Sequence, residues 1–179
     1  EDDVDIKDLF TTGTVGRIIS VFRLPDGSSK IDVEGVARAR VTSFLDQTPF
    51  FRVRTEQVVI ESPANAIEEE VLIRRVLEQF KEIAEMRSFP TIPPEVVYMM
   101  FRLKDPEQII GWVTANLNLE VQDQQKVLEF RSTTQALEQL NIFLTRELNI
   151  LEAEQNLARE TKKKIGKMQK ELFLREQLK

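Results

Sequence analysis

Lys30-Ile31-Asp32-Val33-Glu34-Gly35-Val36-Ala37-Arg38-Ala39-Arg40-Val41-Thr42 alternates in polarity almost residue by residue. Ile31, Val33, Ala37, Ala39 and Val41 share one parity, and Asp32, Glu34, Arg38, Arg40 and Thr42 take the other. Side chains of a strand point alternately to two faces, so this period of two predicts a β-strand with one buried face. Gly35 falls on the buried parity, where a glycine marks a bulge or a close backbone approach. Just upstream, Pro25-Asp26-Gly27-Ser28-Ser29 is a turn signal, because proline presets φ and glycine accepts a positive φ. Before it, Thr14–Leu24 is rich in Val and Ile and reads as the partner strand. Downstream, Asp46-Gln47-Thr48-Pro49 makes a break, and Phe51, Val53 and Val59 alternate with Arg52, Arg54 and Glu56 as a third strand. Three strands make a thin sheet, so further partners upstream or a helical cover are expected.

After Ser62-Pro63-Ala64-Asn65 the period changes. Ile67, Val71, Leu72, Val76, Leu77, Phe80, Ile83 and Ala84 recur three to four apart, as one face of a helix requires. Ser88-Phe89-Pro90-Thr91-Ile92-Pro93-Pro94 is a rigid connector, with Pro94 suited to a first helical turn, and a short helix runs through Glu95–Arg102. Asp105-Pro106-Glu107 opens another, Asp105 as N-cap and Pro106 at the first position. Val121–Phe130 is a fourth short helical segment.

From Thr134 to Lys179 there is no proline, and Gly166 is the only glycine. Leu137, Leu144, Leu151, Ala158, Ile165 and Leu172 recur every seven residues, while the positions three later are Leu140, Glu147, Glu154, Thr161, Met168 and Arg175. One register is apolar throughout and its companion only near the two ends. The expectation is one helix of about 45 residues, roughly 65–70 Å long. Leu137, Leu140 and Leu144 dock it on the preceding helices, Glu152–Lys164 is solvated, and Ile165, Met168, Leu172 and Leu178 offer a second apolar stripe. The fold class is therefore α+β. A small β subdomain spans 1–62, a helical bundle 63–133, and a long coiled-coil-like helix 134–179.

Of 179 residues, 25 are Lys or Arg and 30 are Asp or Glu, and there is neither His nor Cys. These absences exclude disulfides, thiol nucleophiles, cysteine zinc sites and a Ser-His-Asp triad, and remove the commonest metal ligand and neutral-pH base. No glycine-rich phosphate loop occurs: Gly166-Lys167 is followed by Met168, with no glycine five residues before. Glu68-Glu69-Glu70 and Glu152/Glu154 read as solvated charge at a helix start and on a helix surface, not as an acid–base pair. The longest apolar runs, such as Val96–Phe101, fall far short of the ~20 residues of a membrane helix. The net charge of −5 argues against a nucleic-acid domain, although residues 159–179 hold 8 basic against 3 acidic residues, Lys162-Lys163-Lys164, Lys167 and Lys170 among them. That cluster reads first as a solvated helix face. Phe50-Phe51, Phe89 and Val97-Tyr98-Met99-Met100-Phe101 are the remaining signals, since adjacent apolar residues cannot all face one side, and exposed apolar groups with Met suit loose binding of varied apolar segments.

Several motifs share order and spacing with a known family. Asp8-Leu9-Phe10 with Gly13-Thr14-Val15-Gly16 and Ile18, then Leu24-Pro25-Asp26-Gly27, then Val33-Glu34-Gly35-Val36 with Arg38-Ala39, resembles the N-terminal domain of the Lon family of ATP-dependent proteases. Ile92-Pro93-Pro94-Glu95 is similar to that family's linker before its helical subdomain. Lys163-Lys164 and Lys170-Glu171-Leu172-Phe173-Leu174-Arg175-Glu176-Gln177-Leu178-Lys179 resemble its long helix leading toward the ATPase module. The resemblance covers about Asp8 to Lys179. The family's opening apolar strands, with a Pro-Leu-Phe-Pro-like stretch, have no counterpart here, so the chain is expected to lack its first strands and to begin inside a larger protein.

The resemblance implies a PUA-like, barrel-like β subdomain and a non-catalytic module for substrate recognition and hexamer assembly. The parent would be a cytoplasmic, bacterial-type AAA+ hydrolase of protein quality control. Its ATP, Mg and Ser–Lys dyad would lie outside this chain, which itself holds no cofactor. The partners implied are unfolded or damaged proteins and further copies of the same subunit, with no membrane. On this reading Phe50, Phe51, Phe89, Met99, Met100 and Phe101 are candidate substrate contacts. Leu137, Leu140, Leu144, Leu151, Ile165, Met168, Leu172 and Leu178 are candidate packing and assembly positions. The alternatives are a nucleic-acid-binding β domain with a basic arm, and a stand-alone holdase or scaffold.

Overall fold

The computed structural model describes residues 4–87 and 91–177. After a single 3₁₀ turn at Ile6–Asp8, three antiparallel strands follow in spatial order β1 (Thr12–Arg23), β2 (Ser29–Asp46) and β3 (Arg52–Gln57). Five helices come next: α1 (Ala66–Met86), α2 (Pro94–Met100), α3 (Pro106–Asn116), α4 (Val121–Glu129) and α5 (Thr133–Gln177). The chain is α+β. Its contacts divide it into two units, residues 1–64 with 119–136, and residues 65–118 with 137–179.

In the first unit, β1 and β2 form a long hairpin closed by the turn at Pro25-Asp26-Gly27. The Gly27 amide donates to the Leu24 carbonyl at 3.0 Å, and Gly27 takes φ +86°, which a side chain would strain. The Asp26 carboxylate accepts from the Ser28 amide (2.9 Å) and hydroxyl (2.6 Å), and these bonds hold its pKa below the usual carboxylate value.

Two interruptions break the β1–β2 ladder. Val15 pairs with Ala37 but Gly16 pairs with Gly35, which leaves Val36 as an extra residue on β2. Val33 and Ala37, on one parity by number, therefore lie on opposite faces. This corrects the single buried face expected for Ile31–Val41: Ala39 is buried, whereas Ile31 and Val33 are exposed. Gly16 is a close approach, because a Cβ there would come within 2.4 Å of Val33 Cγ1.

The segment Leu119–Ala136, set with the helical subdomain by the sequence pattern, groups by its contacts with the sheet. Gln125 Nε2 on α4 donates to the Thr12 carbonyl (2.9 Å), and Arg38 Nη1 on β2 donates to the Phe130 carbonyl (2.7 Å). Glu61 and Ser132 form an isolated parallel bridge, with the Glu61 amide bonded to the Arg131 carbonyl at 2.7 Å.

The second unit is helical. Asn65 caps α1 by accepting from the amides of Ile67 and Glu68, and Asp105 caps α3 by accepting from Glu107, each satisfying orphan donors of a first turn. Val76, Phe80 and Ile83 of α1, Ile109 and Val113 of α3, and Leu137, Leu140 and Leu144 of α5 are buried together with Ile92 and Met100. The α1 face closes only from Val76 onward, and Ile67 and Val71 are exposed. Arg87, just past α1, has a side chain only 4% exposed. Its Nη2 meets Glu147 Oε1 of α5 at 2.5 Å, and its Nη1 reaches the carbonyl of Asn116 at the end of α3 (3.3 Å). α5 is one helix of 45 residues, unbroken at Gly166. Leu151 is its last buried residue, and residues 156–177 are exposed on every side.

Candidate functional site

The proline connector and the composition of α2 create a concave apolar feature with two helical walls. Pro93 takes an extended backbone and Pro94 starts α2, where its missing N–H costs nothing. From Val96 to Phe101 every residue is apolar, so a helix here cannot bury them all. Met100 turns inward and is 1% exposed, while Tyr98, Met99 and Phe101 turn outward at 67%, 50% and 47%. Buried Met100 thus anchors a helix whose outer face is apolar.

Between α1 and α2 lies an open cavity of about 580 Å³, lined by Lys81, Ala84, Glu85, Thr91, Ile92, Pro94, Val97, Tyr98 and Phe101. The volume falls within the range of ligand-binding clefts. Its walls follow from helical spacing. Lys81, Ala84 and Glu85 are i, i+3 and i+4 on α1, and Pro94, Val97, Tyr98 and Phe101 are i, i+3, i+4 and i+7 on α2. Buried Ile92 lies between them in sequence, from the connector. Ala84 contributes only a methyl group where its neighbours on the ridge are long. At the rim, Lys81 Nζ stands 3.8 Å from Glu85 Oε1, both side chains more than half exposed, and the Arg102 guanidinium lies 6.0 Å from the centre of the Tyr98 ring. The rim therefore carries both signs of charge around an apolar interior.

The sequence-derived candidates are divided between the two units. Phe50 and Phe51 belong to the first unit, and Met99, Met100 and Phe101 to the second. Phe50 is exposed, whereas Phe51 is half-buried against Phe44 in an edge-to-face contact at 6.2 Å. Met100 is corrected as a substrate contact, because its side chain is enclosed within its own unit. Phe89 and Leu178 lie outside the described residues. Leu137, Leu140, Leu144 and Leu151 are buried in the second unit, while Ile165, Met168 and Leu172 are fully on the surface of α5.

Lys81, Ala84 and Glu85 were not anticipated. The available signal was Ala84, a small residue on the apolar ridge of α1 shortly before a proline-rich connector. Among the described residues no group of three or more acidic side chains could hold a metal ion, and no helix is long and apolar enough to cross a membrane.

Comparison with known proteins places this geometry in a family. The chain is 35% identical to the Lon protease of Escherichia coli K12 over 179 residues, and 33% identical to that of Dictyoglomus thermophilum over 178. Each alignment covers 99% of this chain but 22% of the relative, so the chain spans under a quarter of the length of these proteins. Among solved structures, the N-terminal domain of Mycobacterium avium complex Lon protease superposes with a TM-score of 0.62 at 18% identity, over 75% of this chain and 70% of that one, which bears on the fold. Residues 1–146 match the model of the ATP-dependent protease La (LON) substrate-binding domain, and the chain belongs to that family.

Proposed function

We propose that this chain is the substrate-capturing, non-catalytic module of a Lon-type ATP-dependent protease. It holds exposed apolar parts of unfolded or damaged proteins while ATP hydrolysis and peptide cleavage occur elsewhere in the parent. The observation that carries this reading is the outward apolar face of α2 beside an open apolar cavity, in a chain of the substrate-binding family. A stable core would bury Tyr98, Met99 and Phe101, and their exposure suits reversible contact with polypeptides that display apolar side chains. In the parent, α5 would act as a spacer toward the ATPase module. Ile165, Met168 and Leu172 would meet another subunit or that module within a cytoplasmic hexamer that uses ATP and Mg.

The test is made in the full-length protease. Alanine at Tyr98, Met99 and Phe101 together lowers degradation of an unfolded protein severalfold and leaves ATP hydrolysis and cleavage of a short peptide unchanged. Unaltered degradation of the unfolded protein would refute this choice of surface.

A polyanion-binding reading rests on the exposed Lys163, Lys167 and Lys170, which share one face of α5. Binding that falls steeply with salt would favour it.

A further inference from the structure

We infer that Asp26-Gly27, at the tip of the β1–β2 hairpin, is a site of covalent self-modification, where the aspartate isomerises to isoaspartate through a succinimide at a rate set by Ser28. The inference is independent of the capture reading.

Asp26-Gly27 is the only Asp-Gly pair among the 179 residues, and no Asn-Gly pair occurs. Every residue from Val21 to Lys30 is exposed, and glycine has no Cβ to hinder approach to its amide nitrogen. In ring closure the Gly27 nitrogen attacks Asp26 Cγ. An N–Cγ bond forms, a Cγ–O bond breaks, and the amide proton leaves with the displaced oxygen as water. Water then opens the five-membered ring. Attack at Cγ restores aspartate, whereas attack at the former peptide carbonyl leaves the main chain running through Asp26 Cβ and Cγ. The water lost in the first step returns in the second, so mass is unchanged and no further reactant is needed.

The fold restrains both reacting groups. The Asp26 carboxylate accepts from the Ser28 hydroxyl (2.6 Å) and amide (2.9 Å), which tie it to the residue beyond Gly27. The Gly27 N–H is engaged by the Leu24 carbonyl at 3.0 Å. A protonated carboxyl is the better electrophile, and the Ser28 bonds that lower the Asp26 pKa make that form scarcer at any given pH. Isomerisation adds one main-chain atom inside the turn. The Gly27–Leu24 bond, the bond from the Leu24 amide to the Ser28 carbonyl (2.9 Å) and the adjacent Arg23–Ser29 pair then lose their register, and the hairpin frays from its tip.

The test incubates this chain at mildly acidic and at neutral pH. Isoaspartate is counted by enzymatic methylation and located by tandem mass spectrometry in the tryptic peptide Leu24–Lys30. Wild type accumulates it slowly at Asp26, and faster at the acidic pH. Ser28→Ala, which removes the hydroxyl bond, accumulates it severalfold faster, and a free peptide spanning Phe22–Ile31 faster still. Ser28→Thr, which keeps the hydroxyl, retains the wild-type rate and separates loss of that bond from general disturbance of the turn.

Isoaspartate absent from Asp26 in both wild type and Ser28→Ala would overturn the site. Equal rates in wild type and Ser28→Ala, or a rate in Ser28→Thr as fast as in Ser28→Ala, would overturn the control by Ser28. A free peptide no faster than the folded chain would overturn the restraint by the fold.

Discussion

Replacing Arg87 with Met tests how the helical unit is held together. The guanidinium is almost fully enclosed and joins three elements: the end of α1, Glu147 on α5 and the last carbonyl of α3. That carbonyl is among the four a helix leaves unpaired at its C-terminus, where a cation also complements the helix dipole. Removing one member of a buried ion pair costs about 3–5 kcal/mol, because the other is left uncompensated. The Glu147 side chain is 27% exposed and can regain water, so the lower end applies, about 3 kcal/mol. For a chain of this length that lowers Tm by about 6–12 °C.

Urea unfolding followed by circular dichroism measures the loss as a shift in midpoint at constant slope. The decisive number is the coupling in a cycle with Glu147→Met. Since a buried pair replaced by apolar residues is close to neutral, the double variant should be no worse than either single one, so the coupling is at least as large as a single loss, about 3 kcal/mol. High salt should barely reduce it, because the pair is shielded from solvent. A coupling under about 0.5 kcal/mol, or one that vanishes in salt, is the behaviour of a surface pair and would refute the reasoning.

Leu140→Ala should destabilise the helical unit by about 2–5 kcal/mol, because it empties a fully buried site, whereas Met168→Ala on the exposed part of α5 should stay within about 0.5 kcal/mol in the isolated chain. Parallel urea titrations check both. Asn141 is buried on α5, where its side-chain nitrogen donates to the Leu137 carbonyl (3.2 Å) and its side-chain oxygen has no partner, so Asn141→Leu trades one lost hydrogen bond against relief of one unpaired oxygen and should change stability by no more than about 1 kcal/mol; a larger loss in Tm would contradict this balance. The lowered pKa of Asp26 means that its turn bonds are present above the ordinary carboxylate value and are lost as pH falls through the lowered one. The Ser28 amide shift should follow that titration by NMR, and a midpoint at or above the ordinary value would refute it.

The local grammar of the chain was largely legible. Pro25-Asp26-Gly27 is the hairpin turn, Asp105-Pro106 opens α3, and the seven-residue leucine repeat becomes α5 through Gly166. Tertiary effects were less so. A bulge at Val36 shifts every residue before it to the other face, and nothing in the alternation of Ile31–Val41 announces which residue is extra. The short α4 is amphipathic, but amphipathicity does not say which layer it covers, and it lies with the sheet rather than with the helices that flank it in sequence.

The candidate site was legible by half. The Val97–Phe101 run shows that some apolar side chains stay outside, yet only packing decides that Met100 goes in while Tyr98, Met99 and Phe101 stay out. The opposite wall, Lys81, Ala84 and Glu85, comes from a helix on the other side of the connector, and no spacing rule brings those residues to α2.

Substrate capture is tested most directly by titrating a labelled, permanently unfolded polypeptide with this chain, at low and high salt, and following anisotropy. A folded version of the same polypeptide is the control. The account predicts saturable binding to the unfolded form alone, at the same affinity in both salts, because apolar contact does not depend on screened charge. Absence of binding, or equal binding to the folded form, would contradict it.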